Sequence, residues 1–378
     1  MPSPRTSRIR SRLAVLPRAL LALASTAGRR RPESRPARIL VAHHLLLGDT
    51  LMLTPLLAKL RELFPQAEVM MTVSPPIAPL YAGRPYGVRV ASYDPRDPAG
   101  HAALFAESGY DLAIVPGDNR YSWLAAASGA RWIVAFGGDR PAYKSWPVDE
   151  LRPYPDIPMA WGDAVATLVD GDEPLPYDPR EWSPPIAAAY ERPGAPYAVL
   201  HVGASTPLKL WAPERWRELA ARIAALGLGI VWSGGSGERH IVQSIDAQGR
   251  HASYAGLLDL PQMWHLIAGA RLLVCPDTGI AHLGRLVDTP TVALFGPGSA
   301  TLGGKGRFWR DSPYVALIEE PFPCRNQHVL YKREIGWVQR CGRSTRECSH
   351  GKCMDALDAA NVYREAVALL DARHGSRA

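Results

Sequence analysis

Short apolar runs rich in β-branched residues alternate with segments of helical periodicity along most of this chain. Such runs are typical of buried parallel strands, and the helices between them are typical of the crossovers that parallel strands need. In the first part of the chain, the predicted strands are Arg38–His44, Val69–Val73, Val88–Val90, Leu112–Val115 and Trp132–Phe136. The alternation predicts an α/β fold with a parallel sheet.

The same alternation starts again in the second half of the chain. Prolines are dense from Pro141 to Pro196 and periodicity fades there, which predicts a crossover helix and a linker. The later predicted elements are strands Tyr197–Val202, Gly229–Trp232, Leu272–Cys275 and Thr291–Phe295, and helices Pro213–Leu226, Leu260–Ala270 and Ala359–Ala372. Two stacked Rossmann-like units imply a cleft between them, where ligands bind at the carboxyl ends of the strands.

We therefore divide the chain into four segments. A basic arm covers residues 1–37, and an N-terminal Rossmann-like domain covers 38–185. A C-terminal Rossmann-like domain that includes a cysteine cluster covers 190–357, and a C-terminal helix covers 358–378.

The positive charge of the chain lies mainly in the arm. The net charge is +7, and residues 1–38 contain ten arginines against the single acid Glu33. The rest is close to neutral, which argues against a nucleic-acid partner. The arm itself has three interpretations: a solvated, disordered extension, a basic amphipathic anchor on an anionic membrane leaflet, or an export signal. Its apolar run is too short for a membrane span.

The five cysteines are distributed unevenly, which indicates a reduced compartment. Cys275 lies in a predicted buried strand, and the other four fall within the last sixty residues. A secreted disulfide framework would spread over a small chain, so we expect a cytoplasmic protein.

Two loops after predicted strands contain groups suited to a phosphorylated ligand. In the first, Gly203 allows close backbone approach, and Ser205, Thr206 and Lys209 supply two hydroxyls and a cation before a helix that Pro213 can open. The alternative is an ordinary polar strand-to-helix loop. This is not a Walker loop, because no Gly-Lys-Ser/Thr sequence is present.

The second loop is Pro276–His282. Asp277 and Thr278 end a strand, Gly279 begins a helix, and His282 lies one turn later. These groups suit ligand hydroxyls or phosphate, although an aspartate at a helix N-terminus is common for structural reasons. A glycine run, Gly234–Glu238, follows another strand, and Glu238 could accept from ribose hydroxyls.

Taken in order, these segments resemble glycosyltransferase family 9, the ADP-heptose:lipopolysaccharide heptosyltransferases. The similarity extends from Arg38 to about Leu370 and has four points. They are the strand, Gly-Asp turn and Thr-Pro helix start in Ile39–Pro55; the loop His201–Trp216; the turn Trp232–Glu238; and Asp277–His282 with Phe295-Gly-Pro297.

The resemblance implies a GT-B fold, with acceptor binding in the N-terminal domain and nucleotide-sugar binding in the C-terminal domain. It implies inverting transfer of heptose from ADP-heptose to a lipopolysaccharide core without a catalytic metal, at the inner face of the inner membrane. Asp49 would be the general base, the alternative for it being a helix cap.

In the donor site, the resemblance assigns the leaving diphosphate to Lys209 with Ser205 and Thr206, and ribose to Glu238. Asp277 would hold sugar hydroxyls, and Thr278, Gly279 and His282 would line the phosphate pocket.

The chain departs from the family pattern at two places. Leu45-Leu-Leu47 precedes Asp49 where the family usually has a small polar residue. In addition, Cys324, Cys341, Cys348 and Cys353 are spaced by 16, 6 and 4 residues, without a Cys-x-x-Cys pair. Four thiolates could hold structural zinc or iron, and the alternative is free thiols.

Other functions stay open at this point. The enzyme could use another nucleotide sugar or a protein acceptor, or the chain could be a nucleotide-binding paralogue without activity. Asp49, Lys209 and Asp277 together argue against an inert protein. A dinucleotide oxidoreductase is disfavoured, because neither half opens with Gly-x-Gly-x-x-Gly.

Overall fold

Two parallel sheets of six strands each form the frame of the molecule. The computed structural model describes residues 15–24, 35–194 and 196–375. The first sheet contains β1 (Arg38–Val41), β2 (Glu68–Val73), β3 (Arg89–Ser92), β4 (Leu112–Val115), β5 (Ile133–Phe136) and β6 (Glu150–Arg152). The second contains β7 (Tyr197–His201), β8 (Gly229–Ser233), β9 (Ala252–Ser253), β10 (Leu272–Pro276), β11 (Thr291–Phe295) and β12 (Tyr314–Ile318).

The strand order is β3-β2-β1-β4-β5-β6 in the first sheet and β12-β11-β10-β7-β8-β9 in the second. Both are the doubly wound Rossmann order, so the prediction of two Rossmann-like units is confirmed. The order reverses beside β1 in one sheet and beside β7 in the other, and ligand-binding crevices form at such positions.

The helices connect the strands and cover the sheets. They are α1 (15–24), α2 (Leu47–Leu51), α3 (Thr54–Leu63), α4 (Pro98–Ala106), α5 (Ser122–Ala127), α6 (Trp161–Ala166), α7 (Pro213–Ala224), α8 (Arg239–Ile245), α9 (Leu260–Ala268), α10 (Gly279–Leu286), α11 (Ala300–Gly303), α12 (Lys352–Asp355) and α13 (Ala359–Gly375). Among the described residues, no helix has both the length and the hydropathy needed to cross a membrane.

A small antiparallel hairpin follows the second sheet. It consists of β13 (Val329–Leu330) and β14 (Arg333–Glu334), joined by Tyr331 and Lys332. The sequence pattern did not predict this hairpin, nor the edge strands β6, β9 and β12.

Apolar packing covers both faces of the sheets. In β1, Ile39 and Val41 point into one buried cluster, while Leu40 points into another. The first cluster continues from the N-terminal half into the C-terminal half, where the rings of Trp182 and Trp264 lie 6.1 Å apart. The two halves therefore share a continuous apolar core.

Part of the predicted basic arm is helical. Helix α1 buries Ala19 completely against the N-terminal half, and Arg18 lies over the ring of Phe105. The rest of the arm up to residue 34, for which disorder was predicted, lies outside the described residues. The domain boundaries given above stay predictions.

Candidate active site

A cavity of about 670 Å³ lies between the two halves, bordered by the loops that follow β1, β7, β10 and β11. Nine of the predicted site residues line it: Asp49, Ser205, Thr206, Lys209, Asp277, Thr278, Gly279, His282 and Cys341. Residues from both halves of the sequence are thus brought to one place. Gly203 and Glu238 lie outside the lining.

Asp49 lies in the first turn of α2, just after β1. The N-cap of this helix is Leu46, and no side chain forms a capping hydrogen bond there. The described structure therefore gives Asp49 no capping role. Its carboxylate faces the cavity instead.

The environment of Asp49 favours its protonated form more than water does. Burial is the main cause, and it raises the pKa of Asp49 to about 6. The negative charge of Asp277 raises this pKa further, while a hydrogen bond from Tyr331 and the charges of Lys209 and Arg340 lower it. A carboxyl group with a pKa near neutrality is well suited to accept a proton and release it again.

Two glycines allow the halves to approach at this point. A Cβ atom on Gly48 would lie 2.8 Å from the His282 ring, and one on Gly279 would lie 2.8 Å from the Cβ of Leu47. A side chain at either position would push α2 and α10 apart. The glycine of the Gly-Asp turn therefore has a packing role that places Asp49 opposite the C-terminal half.

Lys209 and Asp277 form an ion pair on the other side of the cavity. The ammonium donates to Asp277 Oδ2 at 2.6 Å and to the Asp277 carbonyl at 2.8 Å. Both side chains keep about a fifth of their surface exposed. The pair gives Lys209 a fixed position at the cavity wall.

The start of α10 also faces the cavity. Thr278 is its N-cap residue, and among the described residues the buried hydroxyl of Thr278 has no hydrogen-bond partner. Free backbone N–H groups at a helix N-terminus attract anions, and a hydroxyl with no partner can donate to one. The geometry suits a phosphate group.

His282 is held as a neutral donor. Burial lowers the pKa of His282 far below its usual value, and the charges of Arg285 and Lys209 lower it further. The guanidinium of Arg285 donates to Nδ1 of His282, so the remaining ring proton is on Nε2. Arg285 is itself fixed between the rings of Trp309 and Tyr314.

Glu238 joins the two glycine-containing loops of the C-terminal half. Its carboxylate accepts from the backbone N–H of Ala204 at 2.9 Å and from that of Gly235 at 2.5 Å. A Cβ on Gly203 would lie 1.7 Å from Glu238 Oε2. Gly203 therefore makes room for Glu238, a different physical reason from the ligand approach that the sequence suggested.

The cavity residues that were not predicted include three with polar groups near Asp49 or in the wall: Trp161, Tyr331 and Arg340. The Nε1 of Trp161 is buried and, within the described part of the chain, has no partner. Arg340 adds a positive charge facing Asp49. Arg340 directly precedes Cys341, a predicted site residue, and this position is the one sequence signal that could have identified Arg340. No pattern in a single sequence identifies Tyr331 or Trp161.

The predicted cysteine cluster is only partly assembled. The thiols of Cys324 and Cys341 share a hydrogen bond, and both interact electrostatically with Cys353. The thiol of Cys348 instead donates to the carbonyl of His350. Among the described residues, no three His, Cys, Asp or Glu side chains are arranged to hold a metal ion. As arranged here, the four thiols do not fit a tetrahedral site.

Comparison with known proteins gives matches to glycosyltransferase family 9. The model of glycosyltransferase family 9 (heptosyltransferase) matches residues 163–328. Lipopolysaccharide heptosyltransferase 1 of Pseudomonas aeruginosa is 30% identical over 236 residues, which is 60% of this chain. The match spans 65% of that relative, just under two thirds of its length.

Solved structures match over more of the chain. The Escherichia coli ADP-heptose lps heptosyltransferase II has a TM-score of 0.65 at 18% identity, covering 89% of this chain and 99% of that one. The iron-containing dodecameric glycosyltransferase TibC of E. coli has a TM-score of 0.55 at 18% identity, with coverage of 92% and 78%. At this identity the likeness shows the fold, and the predicted GT-B fold is confirmed.

Proposed function

We propose that this chain, which belongs to glycosyltransferase family 9, transfers heptose from ADP-heptose to a lipopolysaccharide core acceptor. The names of its relatives support the sugar and the acceptor, and the name of the E. coli structure supports ADP as the carrier. We place the reaction at the cytoplasmic face of the inner membrane, where such an acceptor would be presented.

This proposal rests mainly on one observation: one side of the cavity carries a carboxylate, and the opposite side carries positive charge. Asp49 lies on the N-terminal wall, and Lys209 and the N-terminus of α10 lie on the C-terminal wall. A transfer reaction needs a base at the acceptor and positive charge at the leaving group. Both are present, and they face each other.

In the proposed reaction, Asp49 accepts the proton of the acceptor hydroxyl as its oxygen bonds to the anomeric carbon. The bond from that carbon to the β-phosphate oxygen breaks, and its electron pair leaves with ADP. Because base and leaving group lie on opposite walls, attack comes from the face opposite ADP, and the configuration inverts.

The leaving diphosphate is assigned to the C-terminal wall. Lys209 compensates its growing charge, and the hydroxyls of Ser205 and Thr206 add hydrogen bonds. Thr278 and Gly279 offer a hydroxyl and a helix N-terminus. With this positive charge in place, we propose that catalysis needs no metal.

The remaining predicted residues complete the donor site in this proposal. Asp277 would accept from sugar hydroxyls, and His282 would donate through Nε2. Glu238 would accept from ribose, since a carboxylate oxygen that accepts one backbone hydrogen bond can accept another. Gly203 would shape the loop by making room for Glu238.

Thermal-shift titration with nucleotide diphosphates, followed by a transfer assay, tests this function. At a hundredfold excess over its dissociation constant, a ligand that binds only the folded state stabilises it by about 2.7 kcal/mol. ADP should raise the melting temperature, and ADP-heptose should be consumed when acceptor is present. A shift with UDP or GDP but not ADP would contradict the donor. Binding of ADP without transfer to any acceptor would favour the inactive paralogue.

We also propose peripheral contact with an anionic membrane through the surface around α1. Leu20 and Leu21 of α1 are 57% and 73% exposed, and Trp146 nearby is 73% exposed. A second cavity of about 830 Å³ lies between α1 and the loop of Tyr143 and Trp146. Exposed leucine and tryptophan next to an arginine-rich segment are typical of membrane-surface binding.

Vesicle co-sedimentation tests the membrane contact. The wild-type protein should sediment with phosphatidylglycerol vesicles more than with phosphatidylcholine vesicles. The double variant Leu20→Glu and Leu21→Glu should lose this binding. A matched double variant, Leu226→Glu and Leu257→Glu, changes exposed leucines elsewhere and should keep it. Equal binding by both variants would contradict the assignment of this surface.

A structural zinc or iron at Cys324, Cys341, Cys348 and Cys353 is a separate proposal. Its support is the clustering of three of these thiols and the description of TibC as iron-containing. Cys348 would have to turn away from His350 to complete four ligands.

A further inference from the structure

The hairpin β13–β14 belongs to the C-terminal half by sequence but is anchored in the N-terminal half. Arg333 of β14 is 2% exposed, and its guanidinium donates to the carbonyl oxygens of Gly137 at 2.9 Å and Gly117 at 2.8 Å. It also donates to Oδ1 of Asn119. These acceptors follow β4 and β5 of the first sheet.

Charge compensation makes this anchor stable. The carboxylate of Asp139 lies 3.7 Å from the Arg333 guanidinium and pairs with Lys144 at 2.9 Å. Asp139 also accepts from the backbone N–H of Asn119 at 2.8 Å. A buried guanidinium is costly unless its donors and its charge are satisfied, as they are here. Removing the planar donor fork would leave several buried acceptors without partners.

The turn of the hairpin places Tyr331 at Asp49. Tyr331 and Lys332 have φ angles of 47° and 65°, in the left-handed region that favours glycine. Such backbone is strained in residues with a side chain, and it persists only where surrounding contacts hold it. The Tyr331 ring lies 5.6 Å from that of Trp161, and its hydroxyl donates to Asp49. The ring also packs against Gly117, where a Cβ would lie 3.5 Å from it.

We propose that the hairpin is a latch between the halves, with Arg333 as its anchor and Tyr331 as a positioning residue for the base Asp49. The hydrogen bond from Tyr331 orients the carboxylate of Asp49 within the cavity that both residues line. This inference rests on the proposed function for its catalytic meaning. The physical link from Arg333 through Tyr331 to Asp49 can be tested without any transfer activity.

The first test measures how the proton affinity of Asp49 depends on Tyr331. The stability difference between a protein that retains Asp49 and its Asp49→Asn variant depends on pH, and this dependence reports the pKa of Asp49. Tyr331→Phe removes a donor that stabilises the carboxylate, so this pKa should rise by roughly one unit. Tyr154→Phe is the matched control. The Tyr154 hydroxyl is buried without a partner in the described structure, and the control should leave the pKa of Asp49 unchanged.

The same shift should be seen in turnover. The acidic limb of the pH–rate profile should move to higher pH in Tyr331→Phe, because Asp49 then holds its proton to a higher pH. A limb that stays in place in a folded Tyr331→Phe protein would overturn the positioning role. If the wild-type protein transfers no sugar, the proposed function fails, and the stability titration still decides on the contact.

The second test addresses the anchor. Arg333→Lys keeps the positive charge but loses the several N–H donors of the guanidinium group. The hairpin is then held less tightly, so hydrogen exchange of the amides in residues 329–334 should become faster. The pKa of Asp49 should rise as in Tyr331→Phe, and the double variant should shift it no further than Tyr331→Phe alone. Additive shifts, or unchanged exchange in the hairpin, would show that Arg333 does not act through Tyr331.

Discussion

Asp49 shows what a single sequence can and cannot reveal about a reactive side chain. The resemblance of its Gly-Asp turn to the glycosyltransferase family 9 pattern nominated it, whereas the turn alone equally fits a helix cap. The structure places Asp49 at the cavity. Its hydrogen-bond partner Tyr331 comes from a hairpin far along the chain. Nothing in the local pattern around either residue indicates the other, because only the packing of the two halves brings them together.

Burial of Asp49 should cost stability at neutral pH. Well below pH 3.8, the ordinary pKa of this carboxyl, Asp49 is protonated in both the folded and the unfolded state, and its burial does not make folding stability depend on pH. Between pH 3.8 and about 6 the unfolded chain releases the proton while the folded protein keeps it, so folding stability falls as pH rises. Asp49→Asn removes this penalty and should be more stable than wild type at pH 8, on the order of 2–3 kcal/mol.

Chemical denaturation of both proteins between pH 4 and pH 8 checks this prediction. The difference in unfolding free energy should shrink as pH is lowered from 6 towards 4. A difference that does not change with pH would mean that Asp49 is not held in a low-dielectric position.

Lys209→Ala should weaken ADP binding and slow turnover. It removes a charge-assisted contact to the diphosphate and leaves Asp277 without its cation beside an anionic ligand. Such contacts correspond to roughly a 10- to 100-fold change in affinity. Lys305→Ala is a suitable control, because Lys305 donates to the carbonyl of Ser312 and does not line the cavity. Isothermal titration with ADP measures the effect, and unchanged affinity and rate would remove Lys209 from the site.

At the scale of elements, the central strands were predictable and the edges were not. β1, β7, β10 and β11 are continuous apolar runs because both faces of these strands are buried. The edge strands β6 and β9 have three and two residues and include charged or exposed side chains. Such short edges have no periodicity to detect, and their pairing is decided by the neighbouring strand.

The hairpin and the cysteine segment were the least predictable elements. Tyr331-Lys332 is a poor turn sequence, since left-handed backbone usually selects glycine or asparagine. Contacts across the molecule, above all those of Arg333, override the local preference. The cysteine segment depends on long-range packing in the same way. The sequence shows that four cysteines lie close together along the chain, but it does not show which of their thiols contact one another.

The metal proposal makes a prediction at this scale. Protein purified without chelator should contain zinc or iron at about one atom per chain, and Cys348→Ser should release it, because a four-thiolate site needs all four ligands. Cys275→Ala changes a buried strand thiol outside the cluster and should retain the metal. Elemental analysis decides the question, and metal-free wild-type protein would contradict the proposal.

At the scale of the whole molecule, the site depends on how the two halves meet. Gly48 and Gly279 allow α2 and α10 to touch, and the apolar cluster with Trp182 and Trp264 continues across the junction. Two Rossmann-like units and a cleft were expected from the sequence. The close helix contact and the latch could not be predicted, because they depend on the relative placement of the halves.

The central claim is that Asp49 is the base of a sugar transfer between these halves. The most direct measurement is the turnover of Asp49→Asn with ADP-heptose and acceptor, made alongside its ADP affinity and melting temperature. Positioned acid–base groups contribute about 10²–10⁴-fold in rate, so turnover should fall by that order while ADP affinity is retained and the protein stays folded. A near-normal rate in a stable Asp49→Asn protein would contradict the account, because another group would then have to accept the proton.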